Sequence, residues 1–296
     1  MRVMSLFLLG VGSGLVTGAI IALSTVGLSL QYSVTRTINF AHGELMTVGA
    51  YAAYVVARHS SNVVLQGAAA IAAGAALAWA FNRSLFRPFV RRGAGPLTIF
   101  VLTIAASLIV QNVLEAIFSA NFVNYPSPVG SAYRVGPFRW TLTDLLTMAT
   151  AVAALLALHV TIRRTKFGKA QRAVADDVAL ARTTGVPAQR IIDLTWAIDG
   201  GVAGLSGMLL ALQVGSFTPS LGFTFLLVIF SAAIVGGIGQ MYGAMAGSLI
   251  VGVVMEVSAV YIPPDYKETM AFLILVVVLL LRPQGIVAAL SERTVR

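Results

Sequence analysis

The sequence predicts an all-α membrane protein, a polytopic bundle of about eight or nine transmembrane helices that forms one domain over residues 1–296. The chain is 58% hydrophobic, has a mean hydropathy of +0.88, and carries only 10% charged residues, against roughly 25% in a soluble domain. Apolar runs of about 20 residues, the length that crosses a hydrocarbon core, follow one another from Ser5 to Ile286. Basic residues collect in the short segments between these runs, which is typical of cytoplasmic loops.

Nine apolar segments are predicted as helices. They lie near residues 5–30, 40–57, 62–82, 97–118, 141–162, 191–213, 222–238, 241–261 and 268–286. The number of crossings is eight or nine, depending on whether 40–57 spans fully and whether 222–238 and 241–261 are separate passes.

Two basic groups predict the orientation of the bundle. The first contains Arg83, Arg87, Arg91 and Arg92, and the second lies within residues 163–190. Two predicted crossings separate the groups, so both can be cytoplasmic. The connection at 119–139 and the loop at 214–221 then face outside, and the C-terminal tail, with Arg282, Arg293 and Arg296, faces inside.

Composition also excludes several classes of function. The formal charge of +9 is explained by the basic loops that hold the chain in one orientation in the membrane. The arginines lie in these loops without aromatic side chains on which bases could stack, so no nucleic-acid partner is expected. The sequence contains no cysteine, which excludes disulfides, thiolate metal sites and cysteine nucleophiles. His42 and Glu44 alone do not make a zinc site, which needs three or four ligands. We therefore expect no catalytic, cofactor-binding or metal-binding residues.

Glycines recur at four-residue spacing in two of the predicted helices, and that spacing returns to the same helix face. The residues are Gly10, Gly14 and Gly18 in one helix and Gly239, Gly243 and Gly247 in the other. Such stripes let transmembrane backbones approach closely. They predict tight helix packing, either inside this bundle or at a subunit interface.

The connection at 163–190 is long for a loop that only joins neighbouring helices. Within it, residues 170–183 carry apolar Ala173, Val174, Val178 and Ala181 at helical spacing, and Gly185 with Pro187 ends the pattern. The pattern predicts a short amphipathic helix. Such a helix either docks in a groove of a partner protein or rests on the lipid interface.

Polar residues at membrane depth are functional candidates, because burying them in hydrocarbon costs several kcal/mol. We predict Asn39, His42, Glu44, Gln111 and Asp199 as candidates for a translocation pathway. Asn39 suits the N-cap of a helix that begins near Phe40. The stretch 39–44 is either re-entrant, lining a cavity as broken helices do, or a tight cytoplasmic turn.

Four motifs, in order, carry a resemblance to a known family. The stretches TINFAHGELMTVGAYAAY, RAVADDVALARTTGVPAQRI, AAIVGGIGQMYGAMAGSLIVGVVMEV and LLLRPQGI resemble the permease family of branched-chain amino-acid ABC importers. The resemblance covers nearly the whole chain. It implies the ABC importer permease fold and a multi-pass subunit of the bacterial inner membrane.

The resemblance also implies partners: a second related permease, two cytoplasmic ATP-binding subunits that use ATP and Mg, and a periplasmic substrate-binding protein. It implies that residues 173–185 are the segment that couples to an ATPase, with Ala173, Asp176, Asp177, Ala181 and Gly185 as its coupling residues. The chain itself has no G-x-x-x-x-G-K-[ST] loop, because Gly168 and Lys169 are followed by Ala170. ATP hydrolysis is therefore expected of the partners.

Two other classes of function remain open at this point. An ion-gradient-driven carrier would use Asp199, Glu44 or His42 as a proton relay, although it would not need the long basic loop. A membrane enzyme is disfavoured, because no Ser-His pairing within one membrane layer is evident from the sequence. Within the ABC architecture, branched-chain amino acids are the leading substrate, and amides and urea are the alternatives.

Overall fold

The computed structural model describes residues 2–126, 133–136, 138–282 and 285. Most of these residues are helical. In chain order the helices are α1 (Arg2–Thr35), α2 (His42–Ala57), α3 (Val63–Phe81), a π-helical turn (Asn82–Phe86), α4 (Arg87–Arg91), α5 (Pro96–Phe118), α6 (Leu142–Arg164), α7 (Lys166–Asp176), α8 (Val178–Thr183), α9 (Ala188–Val214), α10 (Leu221–Gly236), α11 (Met241–Tyr261), a 3-10 turn (Pro264–Tyr266) and α12 (Lys267–Leu281).

The chain is a multi-pass membrane protein. Within the described ranges, six helical segments are long and apolar enough to cross a bilayer: Leu6–Thr35, Val63–Arg91, Pro96–Phe118, Leu142–Arg164, Ala188–Val214 and Met241–Tyr261. Three shorter helices pack among them, namely α2 and α10 with 16 residues each and α12 with 15. At 1.5 Å per residue these span about 24 Å, less than the roughly 30 Å of a hydrocarbon core.

Small residues bring α1 and α11 into backbone contact. A Cβ added at Gly10, Gly14 or Gly18 would lie 2.9, 2.5 or 3.1 Å from a Cα atom of α11. On α11 itself, Gly243 and Gly247 lie against the backbone of α10.

Gly239 was expected on the same helix face, and this expectation was wrong. It precedes α11, in a turn where its φ angle of +86° suits glycine.

Two pairs of short strands lie at the end of the bundle opposite the basic loops. Strand β1 (Val123–Asn124) pairs with β4 (Ser216–Phe217) in antiparallel register, and β2 (Tyr133–Val135) pairs with β3 (Phe138–Trp140). The first pairing joins the two connections that the sequence assigns to one side of the membrane.

The start of α1 lies at this same end. Trp140 Nε1 donates a hydrogen bond of 3.1 Å to the carbonyl of Gly12, near the beginning of α1. Tyr125 donates a hydrogen bond of 2.8 Å to Gln66 Oε1. Burial raises the pKa of Tyr125 to about 12, so this hydroxyl keeps its proton at neutral pH.

The long connection at 163–190 forms two helices. One continuous helix over 170–183 was predicted, and this was wrong because Asp177 adopts an extended conformation, with φ −151° and ψ 111°. The Asp177 carboxylate accepts hydrogen bonds from the backbone N–H groups of Ala179 and Leu180, at 2.7 and 3.0 Å, and so caps α8. The segment LLLRPQGI lies only partly within the described residues, and Arg293 and Arg296 lie outside them.

Candidate functional site

Helix α2 begins at mid-depth in the bundle. Its first residue, His42, contacts Ser24 of α1 and Asp199 of α9. Ser24 lies eleven residues before the end of α1 at Thr35, and Asp199 lies eleven residues after the start of α9 at Ala188. Eleven residues of helix rise about 16 Å, so the chain returns to about the middle of the bundle before α2 starts.

His42 is the centre of a buried polar cluster. Its Nε2 lies 2.8 Å from Ser24 Oγ, within hydrogen-bonding distance, and its Nδ1 lies 3.3 Å from Asp199 Oδ1. The second contact is within ion-pair distance but lacks hydrogen-bond angles, and Asp199 Oδ2 accepts no hydrogen bond from any described residue. All three side chains are 0% exposed. A charged or polar group without solvent is stable only when a partner compensates it, so this contact ties the start of α2 to α9.

Asn39 shapes the approach to α2 without capping the helix at Phe40. Helix α2 starts at His42, and Asn39 Oδ1 accepts a hydrogen bond of 3.0 Å from the N–H of Ala41, as in an Asx turn. Its Nδ2 donates at 3.4 Å to Gln31 Oε1 on α1. The turn is buried, with Asn39 at 1% exposure.

Glu44 connects the first turn of α2 to α5. Its Oε1 accepts a hydrogen bond of 3.0 Å from Ser107 Oγ, and its Oε2 has no partner among the described residues. Gln111 and Glu115 follow Ser107 at four-residue spacing, which is the same face of α5. Gln111 Nε2 donates to Glu115 Oε1 at 3.3 Å. Gln111 is only half-buried, unlike the other four predicted pathway residues.

Glycines allow this site to assemble, because the helices around it meet at backbone distance. Gly43 of α2 lies against Gly222 at the start of α10, and Thr47 Oγ1 accepts a hydrogen bond of 3.0 Å from the Gly222 N–H. Gly49 lies against Gly204 of α9, and α3 meets α9 where Gly74 lies against Gly200. Any side chain at these positions would overlap a neighbouring backbone.

The predicted coupling residues divide into an exposed and a buried group. Ala173, Asp176, Asp177 and Gly185 are exposed, whereas Ala181 is 3% exposed. Ala181 packs in a small apolar cluster with Val34, Val174, Ala188 and Ile191. The prominent apolar side chain of this segment is Leu180, which is 62% exposed and was not predicted from the sequence.

Helix α7 is bonded to the end of α1. Gln171 Nε2 donates a hydrogen bond of 2.9 Å to Ser33 Oγ, and Arg36 donates at 2.9 Å to the carbonyl of Ala175. Arg36 has a φ angle of +53° and starts the stretch that leads into α2. Arg36, which is bonded to α7, therefore lies only six residues before His42, the first residue of α2.

Ser24 and Ser107 complete the polar site, and sequence reasoning missed both. Each lies in an apolar helix, where serine is common and carries no local signal. The described residues contain no group of three or more His, Asp or Glu side chains placed to hold a metal ion.

Comparison with known proteins identifies the family. Residues 10–279 match the family described as branched-chain amino acid transport system / permease component. The chain is 32% identical to the high-affinity branched-chain amino acid transport system permease protein LivH of Escherichia coli K12, with 95% of each chain covered. It is 30% identical to the corresponding protein BraD of Pseudomonas aeruginosa, with 93% of each covered.

A more distant match is partial. The chain is 32% identical, over 46% of its length and 40% of the relative's, to the galactose/methyl galactoside import permease protein MglC of Haemophilus influenzae. No solved structure matches the chain significantly. The resemblance seen in the four sequence motifs is confirmed, and the chain belongs to the family of branched-chain amino acid transport system permease components.

Proposed function

We propose that this chain is the membrane-spanning permease subunit of a bacterial ABC importer, located in the inner membrane, that translocates branched-chain amino acids. The observation that carries the proposal is the family match over residues 10–279, together with nearly full-length similarity to two permeases named for these substrates. Its proposed partners are a second related permease, two cytoplasmic ATP-binding subunits that hydrolyse ATP with Mg, and a periplasmic binding protein. The chain contributes the membrane passage and not the ATPase site.

Nine passes of the chain fit this role, six made by the long helical segments and three by the shorter α2, α10 and α12 together with the stretches that adjoin them. If α1, α2, α3, α5, α6, α9, α10, α11 and α12 alternate in direction, the connections at 119–139 and 214–221 fall on one side. The pairing of β1 with β4 and the bond from Trp140 to Gly12 support that arrangement. Positive charge then assigns the opposite side, with the arginines of α4 and of 163–190, to the cytoplasm.

Residues 163–190 would transmit ATP-driven motion, with α7 and α8 docked on an ATPase. The exposed Leu180 would fit a groove in a partner, and the carboxylates of Asp176 and Asp177 are exposed on the same segment. The bonds from Gln171 to Ser33 and from Arg36 to Ala175 link this segment to the end of α1. A push on α7 would therefore displace the stretch that leads into α2.

The buried polar residues would position the pathway. Asn39, His42, Glu44 and Asp199 are sealed inside the chain, which favours a role in holding the start of α2. Gln111 lies on α5, whose Val101, Ile109 and Val113 are exposed. We place the substrate route along this helix, at the interface with the second permease, and alternating access as its mechanism.

Co-purification and cross-linking test this function. Because the chain has no cysteine, Leu180→Cys introduces a single thiol on α8, and Val214→Cys, 55% exposed at the opposite end, is the matched control. We expect Leu180→Cys to cross-link to an ATP-binding subunit and Val214→Cys to fail. A tagged chain that purifies without an ATPase or a second permease would overturn the proposal.

A further inference from the structure

A large cavity lies at the end of the bundle that carries the basic loops. It has a volume of about 960 Å³ and opens between the π-helical turn and α4 on one side and α8 with the start of α9 on the other. None of the proposed pathway residues lines it. Cavities of this size are typical of sites for small molecules.

The lining of the cavity is strongly positive. Among the described residues, five arginines line it and Asp193 is the one acidic side chain, so the formal charges of these six sum to +4 (five minus one); the arginines are Arg83, Arg87, Arg91, Arg182 and Arg190. Like charges gathered at one site repel each other, so the arrangement favours an anion.

The carboxylate of Asp193 is already engaged. Its Oδ1 accepts hydrogen bonds from Asn82 Nδ2 at 2.7 Å and from Gln189 Nε2 at 3.1 Å. Its Oδ2 lies 3.7 Å from Arg87 Nη1. Within the described part of the chain, the other four arginines form no ion pair, and the buried Nε of Arg87 has no hydrogen-bond partner. Several N–H donors therefore remain for a ligand with multiple acceptor oxygens.

Apolar and aromatic side chains also line the cavity. They include Ile99, Phe86 and Trp196, and the ring centroids of the last two are 4.7 Å apart. Trp79 is 46% exposed one turn before Arg83, whose guanidinium lies 5.5 Å from its ring. Exposed tryptophan next to arginine is typical of the interface between membrane and water. The cavity therefore combines basic residues, which suit the phosphate of a phospholipid, with apolar residues, which suit its acyl chains.

We propose that this cavity binds the phosphate of an anionic phospholipid from the adjacent leaflet. Arginine is suited to phosphate because its planar guanidinium donates two parallel hydrogen bonds. Basic pockets between transmembrane helices recognise lipid headgroups in this way. The phosphate lies among Arg83, Arg87 and Arg91, and the acyl chains leave over Val90, which is 58% exposed.

Quenching of tryptophan fluorescence by brominated lipid tests the site. The full chain, purified with its associated subunits, is placed in nanodiscs that contain either brominated phosphatidylglycerol or brominated phosphatidylcholine. We expect a given degree of quenching at a much lower mole fraction of brominated phosphatidylglycerol than of brominated phosphatidylcholine. The double variant Arg83→Gln with Arg91→Gln should weaken that binding about 25-fold, since each basic residue near an anionic surface contributes roughly fivefold.

A matched control separates this site from general surface charge. Arg164→Gln with Lys166→Gln removes the same charge from exposed residues at the same end, outside the cavity, and should leave the quenching curve unchanged. Equal quenching by both lipids would overturn the proposal. So would a loss of lipid binding in the control variant equal to that in the Arg83→Gln, Arg91→Gln variant. Pyrophosphate, added as a soluble competitor, distinguishes the source. If it binds to the cavity while phosphatidylglycerol does not, the site takes soluble phosphates and the assignment to a lipid is wrong.

Discussion

The contact between His42 and Asp199 predicts that a second mutation rescues the first. His42→Ala leaves the Asp199 carboxylate at 0% exposure without the ring that lies 3.3 Å away. Removing one partner of a buried pair costs about 3–5 kcal/mol, a large share of a total stability of about 5–15 kcal/mol. Asp199→Asn keeps the size of the side chain and removes the stranded charge.

The double variant should therefore be more stable than His42→Ala alone, by about 2 kcal/mol, within the range of coupling between residues in contact. Circular dichroism follows the unfolding of the purified protein in mixed micelles of detergent and SDS. The free energies of unfolding of the wild type, the two single variants and the double variant form a double-mutant cycle, which gives the coupling between the two residues. His59→Ala is the control, because His59 is exposed in the turn after α2 and its ring bonds locally, 3.0 Å from the carbonyl of Val55. Additive losses in the double variant would refute the reasoning, since they would mean that the two residues do not compensate each other.

Three further predictions address packing, topology and coupling. Gly14→Ala should destabilise the chain by about 1–3 kcal/mol, because the new Cβ lies 2.5 Å from Val253 Cα. Gly67→Ala should not, because its Cβ has 3.7 Å to the nearest neighbouring atom. Equal unfolding midpoints for the two variants would contradict this. Phe122→Cys, at a side chain that is 75% exposed, should react with an impermeant maleimide in intact spheroplasts; protection there would reverse the assigned orientation. Gly185→Ala places a Cβ at a φ angle of +84°, which costs about 1–2 kcal/mol. It should reduce ATP-driven uptake while membrane insertion stays normal. Full uptake would show that Gly185 is not a coupling residue.

The sequence predicted the helices well, because each apolar run is long and its ends carry polar or glycine residues. The start of α2 differs by two residues from the prediction, since Asn39 forms an Asx turn with Ala41 where a helix cap at Phe40 was expected. Propensity alone cannot distinguish these two uses of asparagine, because both satisfy a backbone N–H with the same side chain.

The connection 163–190 shows a second limit. Its helical spacing predicts one amphipathic helix, yet the extended backbone of Asp177 ends α7 and its side chain caps α8. Ala173 and Ala181 looked equivalent in the pattern, but Ala181 is buried against Val34 of α1 and Ala173 is exposed. Burial of this kind depends on where α1 ends in space, which no local pattern contains.

The five pathway candidates share polarity at predicted membrane depth, and four of them, Asn39, His42, Glu44 and Asp199, lie within the same region of the bundle. What polarity could not predict is which partner each would find. His42 meets Ser24 and Asp199, and Glu44 meets Ser107, through helix contacts between residues far apart in the chain. The glycines that permit those contacts, such as Gly204 against Gly49, act only once the helices are assembled.

Uptake by the reconstituted complex tests the central claim most directly. The chain and its co-purified subunits are placed in proteoliposomes, with ATP and Mg supplied on the side of α7 and α8 and radiolabelled leucine with its binding protein on the other. We predict that leucine accumulates only when ATP is present and that a proton gradient alone drives none. Accumulation driven by the proton gradient without ATP would contradict the account and identify the cluster around His42 and Asp199 as a proton relay.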